Sequence, residues 1–272
     1  MSAFNRGTLS RIKGQKMEED VGARSEENEG FPYPLELRPG SVSPPRPNTG
    51  LLKRALDVTV SGIGLVCLLP ILFAIAVLVK VDSPGPVFYT QMRIGQERRW
   101  GRRRREGLRV RTERRQSDRR NVLSHGRLFH ICKFRTMVCN AEDFTGPTWS
   151  IPQDPRITRV GRFLRALRFD ELPQLWNVFM GEMSLVGPRP ERPHFVYKFA
   201  DKIPEYTERL RVRPGITGLA QVSTLDAITE EEIDRKLLLD LRYVRDLRFI
   251  SDLKILLKTF VVLLRKGVHL NG

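Results

Sequence analysis

The longest apolar run sets the first element. From Val58 to Val79 the chain carries no charge over 22 residues. At about 1.5 Å of rise per residue, a helix of that length matches a hydrocarbon core of about 30 Å. Pro70 stands near the middle, where it removes a backbone hydrogen bond and bends a helix. Basic residues flank both ends: Lys53 and Arg54 before, Lys80, Arg93, Arg98 and Arg99 after. Both flanks therefore prefer the cytoplasmic side. A hairpin bent at Pro70 meets that demand by entering and leaving on one face, which a single span cannot do. Residues 51–82 are thus expected to form a re-entrant membrane helix, with Thr59, Ser61, Gly62 and Gly64 available to pack on the returning arm. A buried core helix and a single span are the alternatives.

Shorter patterns follow. Residues 86–96, PVFYTQMRIGQ, combine aromatic and β-branched positions with a glycine turn and predict a strand. Residues 128–137, LFHICKFRTM, alternate. Leu128, His130, Cys132 and Phe134 fall on one side, and Phe129, Ile131 and Lys133 on the other, which predicts a second strand. Ile157, Val160, Phe163, Leu164 and Leu167 recur at helical spacing and predict an amphipathic helix over 156–169. Leu172, Leu175, Trp176 and Phe179 form another helical set. Pro173 suits only a first turn, so this second helix should open near Asp170, with Asp170 as its N-cap. Residues 247–267 are apolar but interrupted by Lys254, Lys258, Arg265 and Lys266. They are expected to be an interfacial amphipathic helix, or else an edge helix of a soluble core.

Composition changes this picture at two places. Residues 1–50 hold six prolines, six glycines, seven acids and seven bases. Too little apolar surface is present to offset ordering, so a disordered leader is expected, and it lacks the apolar stretch of a secretory signal. Residues 97–127 hold 13 arginines and four acids, over half of the chain's net charge of +16. They read as an Arg-rich insertion that is either simply solvated or faces anionic lipid headgroups, with nucleic acid as the weaker partner. The remaining chain, 51–272, is expected to be one domain. Cys67, Cys132 and Cys139 are too few and too irregular for a disulfide framework. His125, His130, Cys132 and Cys139 fit no standard zinc spacing.

The overall charge asks for an anionic partner, and the candidate chemistry agrees. Arg156, Arg159, Arg162, Arg165 and Arg168 recur every third residue and lead into the pair Asp170–Glu171. By themselves the two acids suit a helix cap with a dipole-complementing neighbour. Their surroundings add another reading. Pro188-Arg189-Pro190 fixes two φ angles around an arginine, and RVRPGITG (211–218) supplies a second stiff Arg-Pro-Gly turn. Two carboxylates among stiffly held arginines suit phosphoryl transfer, one carboxylate attacking phosphorus and the other holding Mg²⁺.

The blocks LLKRALDVTVSG, SPGPVFYTQMRIG, CKFRTM, DELPQLWNV, GEMSLVGPRP and VRPGITGLAQVS, in this order over roughly 51–267, resemble the bacterial sugar transferases, the monotopic phosphoglycosyl transferases. The resemblance implies a mixed α/β, mainly helical fold. It is a monotopic membrane protein with a re-entrant helix hairpin, a small catalytic domain on the cytoplasmic face of the bacterial inner membrane, and interfacial amphipathic helices. It implies transfer of sugar 1-phosphate from a UDP-sugar to undecaprenyl phosphate with release of UMP, an early step towards exopolysaccharide, capsule or O-antigen. The family's dyad falls on Asp170, the nucleophile that forms a phosphosugar-aspartyl intermediate, and Glu171, which helps bind Mg²⁺. The basic substrate-binding positions fall on Lys133, Arg165, Arg189 and Arg213. Compared with the family, the link between the two predicted strands is swollen by the Arg-rich insertion, and Leu69-Pro70 stands where relatives often have Ser-Pro. The sugar stays open, and a homo-oligomer is compatible with the sequence.

Overall fold

The computed structural model describes residues 47–97, 126–139, 141, 154–223 and 230–269. These lie within one unit, Pro39–Gly272. Residues 1–46 of the expected leader and nearly all of the Arg-rich insertion lie outside the described residues, while 47–50 already belong to the first helix.

The apolar run becomes α1, Pro47–Asp82, a single helix with Pro70 inside it. Its 33 residues from Gly50 to Asp82 have a mean hydropathy of 2.9 in their most apolar window, and only 11% of that window is buried. The helix is not divided into two separate arms at Pro70. One missing N–H is a local loss, and packing on both sides of it keeps the flanking turns helical. A stripe including Asp57, Ser61, Ile75 and Val79 is buried, while Ile63, Val66, Leu69, Phe73 and Val81 are exposed. The small residues serve a neighbour other than the one expected: Phe179 lies over Gly62 and Leu175 over Gly64.

Both ends of α1 are fastened to the same domain. Near its start, Lys53 Nζ donates to Val186 O at 2.8 Å and to Asp252 Oδ2 at 2.8 Å. Asp57 Oδ1 accepts from the Leu185 amide at 2.9 Å and from Ser184 Oγ at 3.0 Å. At its end, Asp82 Oδ2 accepts from the Val160 amide at 3.2 Å. Arg135 then donates to Ser83 O and Pro84 O at 2.6 and 2.7 Å. Gly85 turns the chain away with φ +122°, and any Cβ there would overlap the Arg135 guanidinium.

The two predicted strands form, trimmed by turns at their ends: β1 (Phe88–Ile94) and β2 (Leu128–Phe134). They pair antiparallel from Phe88↔Phe134 to Ile94↔Leu128. Phe129 and Ile131 point into the main core, as the alternation required. The loop after β2 leads to α2 (Arg159–Ala166), capped by Thr158, whose hydroxyl accepts from the Gly161 amide at 3.0 Å. Next come a 3₁₀ turn (Phe169–Glu171) and α3 (Gln174–Met180). Two very short strands, β3 (Ser184–Val186) and β4 (Gly215–Thr217), pair in parallel. Their crossover carries α4 (Pro193–Lys202) and a 3₁₀ segment (Pro204–Arg211). The chain finishes with α5 (Leu219–Ser223), α6 (Glu230–Arg245) and α7 (Phe249–His269). Helix dominates and the two sheets are small, a mainly helical mixed fold.

The main core joins Phe129, Ile131, Val178, Met183, Leu185, Tyr243 and Ile255. A second cluster joins Ile75 and Val79 of α1 to Phe134 and Leu164, with Phe169 and Leu172 packed against it. That second cluster lies directly under the acidic pair.

Candidate active site

Four local structures deliver the charged groups. The end of β2 carries Lys133, the end of α2 carries Arg165, the 3₁₀ turn carries Asp170 and Glu171, and the Pro188–Pro190 turn carries Arg189. The expected N-cap role of Asp170 is not what forms. Asp170 lies inside the 3₁₀ turn, and α3 begins four residues later with Pro173 in the cap position. Pro173 has no N–H to donate to Phe169 O, so that carbonyl accepts from Leu172 N at 3.3 Å and the turn tightens. Arg168 enters this turn at φ 58°, the one positive-φ residue other than glycine among the described residues. Such a conformation is unfavourable for a side chain with a Cβ and marks a site held by its surroundings.

Glu171 is the hub. Its Oε1 accepts from Lys133 Nζ at 2.9 Å and from Arg189 Nη2 at 2.8 Å. Arg168 Nη1 stands 3.9 Å from Oε2. Burial opposes ionisation of Glu171, but Arg189, Lys133 and Arg168 outweigh it and hold the carboxyl well below the usual range. Asp170 moves the other way. Burial raises its pKa and the Glu171 charge adds to this, against Lys133, Arg165 and Arg189. Both carboxylates are buried, at 8% and 7% exposure. Two adjacent acids are thus driven apart: the Glu171 carboxyl is held low and the Asp170 carboxyl is raised. Lys133, Arg165, Arg168 and Arg189 against two carboxylates leave two surplus positive charges, suited to a phosphorylated ligand.

The arginine ladder divides. Arg159 and Arg162 are exposed. Arg156 Nη2 pairs with Asp154 at 2.7 Å. Arg165 turns inward, its Nε donating to Thr136 Oγ1 at 2.8 Å, and its charge acts on Asp170. That approach of α2 to the segment after β2 requires Gly161, where a Cβ would overlap the Thr136 carbonyl.

The Arg189 turn is held at each residue. Pro188 O accepts from the Gly215 amide, Arg189 O from Arg209 Nη2, and Pro190 O from Arg93 Nη1. Arg209 is itself paired with Asp240 Oδ2 at 2.7 Å. Burial raises the Asp240 pKa to about 6 and the Arg209 charge opposes the rise. Sequence reading placed Arg168 on the ladder that leads to the acidic pair, but missed Arg209 and Thr136 as site supports, since nothing in their spacing points there. It also missed Asn177, which donates to His130 O and Glu182 Oε2 and accepts from the Cys132 amide. The signal there was visible: Gln174 and Asn177 are polar residues on one helical face, and both are buried.

Lys133, Arg165, Arg189, Asp170 and Glu171 are brought together. Arg213 lines a hollow shared with Gln96, Arg127, Phe129 and Glu182. Among the described residues no three His, Cys, Asp or Glu side chains converge as a metal cluster, and the cysteines there are free. Of the four residues weighed for zinc, His125 lies outside the described residues. The acidic pair still matches what Mg²⁺ takes from a protein, one or two carboxylates with the rest supplied by phosphate oxygens and water.

Comparison with known proteins places this geometry in a family. The family model for bacterial sugar transferases matches residues 48–120 and 116–266. A putative undecaprenyl-phosphate N-acetylgalactosaminyl 1-phosphate transferase of Bacillus subtilis is 39% identical over 63% of this chain and 82% of its own length. The UDP-glucose:undecaprenyl-phosphate glucose-1-phosphate transferase of Caulobacter vibrioides is 38% identical over 85% of this chain and 76% of its own. The undecaprenyl-phosphate glucose phosphotransferase of Komagataeibacter xylinus is 38% identical over 71% of this chain, but the match spans only 32% of that protein. The chain belongs to the bacterial sugar transferase family.

Proposed function

We propose that this protein transfers sugar 1-phosphate from a UDP-sugar to undecaprenyl phosphate, releasing UMP. The observation that carries the reading is the convergence of Lys133, Arg165, Arg168 and Arg189 on the buried pair Asp170–Glu171. The names of the relatives supply the substrate classes. Asp170 is the nucleophile. Its carboxylate oxygen bonds to the sugar-bearing phosphorus as the bond from that phosphorus to the UMP oxygen breaks, giving a phosphosugar-aspartyl intermediate. A phosphate oxygen of undecaprenyl phosphate then attacks the same phosphorus and frees the carboxylate. Arg189 and Lys133 hold the diphosphate and Arg165 steadies Asp170. Arg213, in the lining of a neighbouring hollow, would act on another part of a substrate. Glu171, with Asp170 beside it, would hold Mg²⁺, which when bound neutralises diphosphate charge.

The membrane arrangement follows from α1. A helix with an exposed apolar face and both ends fastened to one domain suits entry and exit on a single leaflet. The outward residues of α7, Ile250, Leu253, Leu257 and Phe260, suit the lipid interface beside it. The reading places the catalytic domain on the cytoplasmic face of the bacterial inner membrane, at the start of exopolysaccharide, capsule or O-antigen assembly.

The test is UMP release by purified protein in detergent, with a panel of UDP-sugars and undecaprenyl phosphate. Asp170→Asn should cut turnover by roughly 10³-fold or more. Wild type given UDP-sugar alone should gain the mass of a sugar phosphate, and the variant should not. Full turnover in Asp170→Asn would remove the nucleophile assignment.

A further inference from the structure

One aromatic residue at the mouth of this site has no role in the chemistry above. Tyr89 lies directly across the β1–β2 ladder from Lys133. Directly opposed residues share a face, with Cβ atoms about 4.5–5.5 Å apart. The Tyr89 ring is therefore a neighbour of the lysine that reaches Glu171 at 2.9 Å. It is also 41% exposed. A large aromatic left partly open beside buried charges offers a flat face to a ligand held by those charges.

The ring is also tethered. Tyr89 Oη accepts from Gln91 Nε2 at 3.0 Å. Gln91 Oε1 accepts from Arg93 Nη2. Arg93 Nη1 then donates to Pro190 O at 3.0 Å, beside Arg189. Tyr89, Gln91 and Arg93 alternate along one face of β1. The arginine that grips Glu171 and the exposed ring thus share one hydrogen-bonded frame. A ring fixed before binding loses less freedom when a ligand stacks on it.

We propose that Tyr89 is the stacking contact for the uracil ring of the UDP-sugar, and that Gln91 and Arg93 are positioning residues that hold it beside the acidic pair. The inference rests on the reaction proposed above. With the diphosphate anchored at Lys133 and Arg189, the nucleoside is the flat part of the substrate that can reach across the ladder, and an aromatic face accepts any base.

The experiment measures KM for the UDP-sugar, KM for undecaprenyl phosphate, inhibition by UMP, and direct UMP binding by calorimetry. Tyr89→Ala should weaken UDP-sugar and UMP together by about tenfold, the lower part of the range for base–aromatic stacking. Its melting temperature and its KM for the lipid should not change. Tyr89→Phe and Gln91→Leu keep a ring but lose the tether, and should give a smaller shift of about two- to threefold in the same constants. A fall in kcat and melting temperature with UMP affinity unchanged would make Tyr89 a structural strand residue and overturn the proposal. A rise confined to the lipid KM would overturn it too and assign the ring to the acceptor. If wild type released no UMP, the reaction itself would fall. Calorimetry would still judge the inference, since equal or absent UMP binding in wild type and Tyr89→Ala would end it.

Discussion

Glu171 takes two short hydrogen bonds from cations and stands near a third, so its charge belongs to the folded state more than to the unfolded chain. Its carboxyl is held below its ordinary value of 4.5 by Arg189, Lys133 and Arg168 against the cost of burial. A depressed carboxylate contributes stability that is fully present above its unfolded pKa and is lost as pH falls towards the folded value. Wild type should therefore lose stability as pH is lowered below about 4.5, and Glu171→Gln should show a shallower acid slope in chemical denaturation. Equal slopes would show that Glu171 is not the group involved. At neutral pH the same variant leaves Lys133 and Arg189 facing each other. The expected cost is about 1–3 kcal/mol, kept to that range because the Arg189 side chain is 41% exposed and screened by water. Asp170 has the opposite sign. Its raised pKa should put the acid limb of turnover above pH 3.8, the ordinary aspartate value.

Between elements, α2 fits closely at Gly161 against the segment that follows β2. Gly161→Ala places a methyl group against the Thr136 carbonyl and must push the helix off that segment. That shift would separate Arg165 from Thr136 and Asp170. Overpacking of this kind costs about 1–3 kcal/mol. Turnover should fall together with the melting temperature, and a variant with both intact would show that α2 can move without disturbing Arg165. Legibility also differs by element. The strands were readable because alternation in Phe129, Ile131 and Lys133 maps directly onto a pleated face. Helix α2 was readable from its spacing, although Phe163 turned out exposed. The face of α3 was not. Leu172, Leu175, Trp176 and Phe179 form the apolar set, yet Gln174, Asn177 and Val178 are buried and Trp176 and Phe179 are exposed. Periodicity finds a stripe but cannot say whether protein or some other apolar medium covers it. The acidic pair and most of its basic partners were readable as chemistry. The 3₁₀ turn was not, because one missing N–H at Pro173 moves the start of the helix without changing its pattern.

At the scale of the whole molecule, the two described ends of the Arg-rich insertion lie side by side. Gly95 N donates to Arg127 O at 2.8 Å and Arg127 N to Gln96 O at 3.3 Å, so the ladder closes just where the insertion leaves and returns. Replacing 98–125 with a short turn should leave UMP release unchanged while reducing affinity for vesicles containing anionic lipid. Lost turnover would show that the segment takes part in the reaction. The two fastenings of α1 have a separate consequence. Ile75 and Val79 complete the small cluster beneath Asp170 and Glu171, and Lys53 and Asp57 tie into β3 and α7. The apolar helix is therefore also packed against the elements that carry the acidic pair. Removing α1 to obtain a shorter catalytic fragment should take away support for the acidic pair as well as the apolar surface, so such a fragment should lose folded stability along with any membrane affinity.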